Sequence, residues 1–73
     1  MEGSKPYAIY RIKQASWNEV TELSKNIKLA FKEHGMTWIK DYFITEMGSS
    51  LELEMYTKEA DDLLRETVPQ YLL

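Results

Sequence analysis

The spacing of apolar positions along the chain switches between a period of two and a period of three to four, and each switch marks an element boundary. Residues 7–13 read Tyr-Ala-Ile-Tyr-Arg-Ile-Lys, a β-branched and aromatic run whose outer end alternates charged with apolar residues, which predicts a strand. Ser16 stands three residues before Glu19, the spacing at which a serine oxygen accepts the amide of the third helical residue while the glutamate reaches back to the cap amide. A helix is expected from Trp17 to His34, with Val20, Leu23, Ile27, Phe31 and His34 on one stripe and Gly35 placed to end it in the left-handed conformation. Strand spacing returns from Met36 to Met47, and Gly48, Ser49 and Ser50 form a turn. Leu51 to Tyr56 alternates cleanly, with Leu51, Leu53 and Met55 on one face and Glu52, Glu54 and Tyr56 on the other. Thr57 is placed to cap a second helix that puts Ala60, Leu63, Leu64 and Thr67 on one face, and Pro69 closes it. Tyr71, Leu72 and Leu73 suit either a short edge strand or a tail packed on the core.

Together these elements predict an α+β domain, a two-layer sandwich with two helices on one face of an antiparallel sheet. The order is β-α-β-β-α, with a last β left open. In outline it resembles the ferredoxin-like split arrangement, which hosts enzymes, ligand sensors, RNA-binding modules and dimerisation domains alike. The resemblance therefore implies an architecture and no particular activity. Residues 6–73 are expected to form one domain after a disordered tail over residues 1–5, since 73 residues leave no room for a second core.

The stretch from Met36 to Met47 breaks the one-faced pattern. Met36, Trp38, Tyr42 and Ile44 occupy one side of its alternation, and Ile39, Phe43 and Met47 the other. Apolar side chains on both faces of a strand require a second covering layer. The hairpin register decides which set looks outward. A two-residue turn at Gly48 and Ser49, with the glycine-first chemistry of a type II′ turn, pairs Ile44 with Leu53 and Tyr42 with Met55. It sets Trp38, Tyr42 and Ile44 beneath the helices and leaves Ile39, Phe43 and Tyr56 outside as a protein-interface set. A three-residue turn through Ser50 inverts the assignment. The two-residue turn is preferred, because it also puts Glu52 and Glu54 on the outer face.

Size and composition support an outer partner. Domains of this length often depend on disulfides, metals or oligomerisation, and the chain has no cysteine and a single histidine. Oligomerisation remains, which makes a homodimer the expected state. Absent cysteine, a polar start and no long apolar run lead to the expectation of a cytoplasmic protein without a membrane span.

The net charge of −3 conceals an uneven distribution. Lys25, Lys28 and Lys32 share a stripe of the first helix with Leu29, either a solvated face or a basic docking stripe for an acidic partner. Acidic residues dominate after residue 45. Glu46, Glu52, Glu54, Asp61 and Asp62 are the residues of a candidate acidic contact surface, one that would imitate nucleic-acid phosphate in a basic groove of a target protein. Helix-dipole chemistry accounts equally well for the acidic residues of the second helix.

Nucleic-acid binding would use Tyr7, Tyr10, Trp38, Tyr42 and Phe43 as stacking platforms, but a pI near 5.0 and the acidic third strand argue against it. No nucleophile stands beside a base, no metal-ligand spacing occurs and no phosphate loop is present, so neither an enzyme nor a cofactor is expected. The expected function is a small non-catalytic, regulatory protein-binding module that self-associates through its sheet and then contacts a larger target protein. The alternatives are the acidic inhibitor described above and a small-ligand sensor with the ligand enclosed between two sheets.

Overall fold

The computed structural model describes residues 5–72, so most of the tail expected to be disordered, together with Leu73, lies outside the described residues. The elements are β1 (Ala8–Lys13), α1 (Trp17–Glu33), β2 (Tyr42–Met47), β3 (Ser50–Met55), α2 (Lys58–Thr67) and a 3₁₀ turn at Pro69–Tyr71. β3 is the central strand, antiparallel to β1 on one side and to β2 on the other. β1 and β2 are therefore parallel to each other, and α1 joins them across β3 as a split β-α-β unit. The place open to a final strand is taken by the 3₁₀ turn, with Leu72 packed partly against the core.

Capping sets the ends of α1. Ser16 is extended, and its hydroxyl accepts the Glu19 amide at 3.4 Å. Glu19 returns a bond to the Ala15 amide at 3.1 Å, one residue earlier than a capping box requires. At the other end Gly35, at φ +81°, donates to the Lys32 carbonyl at 3.1 Å, and Met36 donates to the Phe31 carbonyl at 2.9 Å. This is a complete Schellman motif, and it turns Met36 back towards Phe31. His34 is the C-cap and is exposed, contrary to its expected place on the apolar stripe; its Nδ1 lies 2.9 Å from the Ala30 carbonyl oxygen. Ser24, with Val20, Ile27 and Phe31, forms the fully buried line of α1. The Ser24 hydroxyl has no hydrogen-bond partner among the described residues, a cost of roughly 1–3 kcal/mol.

The β2–β3 hairpin turns through Gly48 and Ser49, with Met47 opposite Ser50, Ile44 opposite Leu53 and Tyr42 opposite Met55. Gly48 has φ +61° and Ser49 a negative φ, the sign pattern of a type II′ turn, so the expected register is the observed one. Leu51, Leu53 and Met55 are fully buried beneath the helices, beside Ile12, Tyr42 and Ile44. On α2 the Thr57 hydroxyl accepts the Ala60 amide at 3.0 Å, and Leu63 and Leu64 close the core from above. Asp61 is buried as well. It accepts a 2.5 Å hydrogen bond from the Tyr10 hydroxyl of β1 and a 3.0 Å bond from Arg65 Nε, which ties the sheet to α2.

Tyrosine protonation links this packing to pH. Burial, then the bond to Asp61, pushes the Tyr10 hydroxyl above the ordinary phenol value; burial does the same for Tyr42, and the bond to Glu54 does it for Tyr56. Above about pH 10 unfolded tyrosines lose protons that these folded ones keep, so the unfolded state binds fewer protons and stability falls as pH rises. Denaturant titrations are expected to show full stability at pH 9 and a decline past pH 10, with delayed tyrosinate absorbance in the folded protein. A flat stability profile over that interval would contradict the assignment.

Candidate protein-interaction surface

Side-chain alternation assigns the sheet's two faces. Tyr10 reaches Asp61 of α2, so residues in phase with it face the helices. The opposite face carries Ile9, Arg11 and Lys13 of β1, Ser50, Glu52 and Glu54 of β3, and Phe43, Thr45 and Met47 of β2. No described helix covers it. Its rows run across the strands as Ile9–Glu54–Phe43, Arg11–Glu52–Thr45 and Lys13–Ser50–Met47.

This face is polarised. At the end where β1 begins, Ile9 is 55% exposed, and Phe43 and Tyr56 are half-buried beside it. Tyr7, just before β1, is also exposed. The Tyr56 hydroxyl donates to Glu54, so the one carboxylate in the apolar row is partly satisfied within the chain. The other end is charged, with Arg11 and Glu52 3.6 Å apart, a pair whose arginine is exposed and which contributes little to stability.

Residues Met36 to Asp41 do not extend β2 as the alternation suggested. Asp41 accepts the Thr37 amide on its carboxylate at 2.8 Å, and its own amide donates to the Thr37 carbonyl at 2.9 Å. These local bonds replace a strand ladder, and no outer strand competes for the backbone, because β2 is a sheet edge. Ile39 sits in this turn at φ +76°, and its amide donates to the Tyr42 carbonyl at 2.7 Å. A β-branched residue at such a φ is strained by about 1–3 kcal/mol. Ile39 thus leaves the sheet face and stands exposed at the turn, apart from Phe43 and Tyr56 with which it was expected to share that face. Trp38 does not lie beneath the helices either. It wraps the free edge of β2, edge-on to Tyr42 at 5.2 Å and tilted against Phe43 at 5.0 Å, and remains 38% exposed.

The expected acidic surface divides. Glu52 and Glu54 are on the outer sheet face, Glu46 alternates to the helix side, and Asp62 is exposed on α2 beside Lys58 at 3.1 Å. Asp61 is withdrawn from the surface altogether, 4% exposed, because the Tyr10 hydroxyl and Arg65 hold it inward. Sequence spacing showed the acidic helix positions but not that one of them points down onto a tyrosine. On α1, Lys25, Leu29 and Lys32 are exposed and Lys28 is half-buried, with its ammonium 5.0 Å over the Trp38 ring. The search for known relatives of this chain finds no protein-family model, curated protein or solved structure that matches it, so its function has to be inferred from this surface chemistry.

Proposed function

We propose that the chain is a non-catalytic protein-binding module that associates with a second copy of itself through the outer face of its sheet. The observation that supports this is the apolar end of that face, where Ile9 and Phe43 flank Glu54 and Tyr56 follows it, with no described helix over them. The self-complementary arrangement of charges favours a second copy as the occupant. Arg11 of one protomer suits Glu52 of the other when the two faces pack with an offset of one strand. The topology in this proposal is ferredoxin-like, with the first five elements of β-α-β-β-α-β present and β1 left as an open edge.

Dilution tests the proposal. Sedimentation velocity is expected to give a dimer at micromolar concentration that dissociates on dilution, and amide shifts that move with concentration should cluster on β1, β2 and Tyr56. A protein that stays monomeric up to millimolar concentration, or shifts confined to the helices, would refute it.

A further inference from the structure

We propose that the cleft between α1 and the turn at residues 36–41 binds an acidic peptide segment of another protein, with one aromatic or aliphatic side chain in the cleft and its carboxylates along Lys25, Lys28 and Lys32. This does not rest on self-association, since the cleft opens at the β2 edge and not on the outer sheet face.

The cleft has a volume of about 440 Å³ and is lined by Lys28, Lys32, Met36, Trp38 and Tyr42. Its walls are apolar and aromatic and its rim is cationic. That volume accommodates one large side chain and suits the usual composition of a binding cleft, apolar walls with a few charged groups. Lys25, Lys28 and Lys32 follow one another at successive turns of α1, a track of about 10 Å. None of them forms an ion pair among the described residues, whereas Arg11, Lys58 and Arg65 each do. Leu29, 54% exposed, lies beside the same track.

Met36 of the turn that builds the cleft packs partly against the core, but Ile39 does not. Ile39 is held in the left-handed region, yet it is 63% exposed and buries little in return. Strain of this kind persists where it positions something else, and what it positions is Trp38, carried back over the β2 edge to face Lys28. An indole with the Lys28 ammonium over it, in a cleft that Lys32 also lines, suits an anion with an apolar body. The lysine track runs on past the cleft to Lys25, which does not line it, and so fits an extended peptide better than a small molecule. Nucleic acid is disfavoured by the net charge of −3.

The test uses Trp38 as its own reporter, with Trp17→Phe leaving it the sole indole. The probe is an acetylated pentapeptide with two glutamates on each side of one phenylalanine. Its titration is expected to change Trp38 fluorescence saturably in the sub-millimolar range, and less so at high salt. Combining Lys28→Glu with Lys32→Glu should weaken binding about tenfold or more, and replacing the peptide's phenylalanine with alanine by a similar factor. Lys25→Glu, farther from the indole, should weaken it by about threefold while leaving the melting temperature unchanged. The proposal is overturned by any of four results: no saturation at millimolar peptide, undiminished affinity in the lysine variants, equal binding of the alanine peptide, or tighter binding of a single-stranded oligonucleotide.

Discussion

Replacing Phe43 with a charged residue is expected to split the proposed dimer into folded monomers, with its dissociation constant raised about a hundredfold or more. Phe43 lies in the apolar row of the outer face, directly opposite Glu54 and packed against Trp38 at 5.0 Å. A charge there would enter the proposed contact without a partner from the other protomer. Its sign matters for the monomer. Phe43→Glu places two carboxylates opposite one another on neighbouring strands and also destabilises the fold, whereas Phe43→Lys faces Glu54 with an opposite charge. Both variants should be monomeric, and the lysine variant should keep the melting temperature of the isolated wild-type protomer more closely. The core of Tyr42, Ile44, Leu53 and Met55 belongs to the other face and is untouched by either change. A lysine variant that sediments as the wild-type protein does would place the contact elsewhere.

Asp61→Ala is expected to cost about 2–3 kcal/mol of folding stability, a drop of roughly 10 °C or more in Tm for a domain of this size. The carboxylate accepts from Tyr10 and from Arg65, and the two bonds differ in weight. The Arg65 side chain is 60% exposed, so its share is small. Most of the loss arises at Tyr10, whose part-buried hydroxyl loses its acceptor and with it the link between β1 and α2. The alanine variant gains helix propensity, which offsets only a few tenths of a kcal/mol. Tyr10→Phe should cost less than Asp61→Ala, and the double variant should show coupling of about 1 kcal/mol or more in a denaturant-based cycle. Additive effects, or a Tm change near zero for Asp61→Ala, would mean that the tether does not hold the layers together.

Much of the architecture was legible because local physics agrees with tertiary packing at most positions. Ser16, Thr57 and Gly35 mark helix ends through backbone hydrogen bonds that involve only nearby residues, and all three act where their spacing indicates. Gly48 gave the hairpin its two-residue turn, and that turn set the faces of β2, because a slip of one residue would put Phe43 in place of Tyr42 and Ile44 beneath the helices. A strict period of two over Leu51–Tyr56 left no second arrangement to choose.

What the chain alone did not reveal depends on contacts between distant residues. Met36 to Asp41 continues an apolar alternation, but alternation requires a neighbouring strand to hold it extended, and this segment lies at a sheet edge where the Asp41 carboxylate bonds Thr37 instead. That local competition displaced Ile39 from the sheet and brought Trp38 over Lys28, so the lysine stripe and the indole met only in the folded chain. Asp61 shows the same limit. Its position in the first turn of α2 suits the helix dipole whether it faces solvent or sheet, and only the hydroxyl of Tyr10, 51 residues away, decides that it is buried. Short-range hydrogen bonds and hydrophobic period are written in sequence order and determined the elements and their inward faces. The pairing of polar groups across layers is set by three-dimensional proximity, and it was the tertiary structure that decided which charged and aromatic side chains remain at the surface.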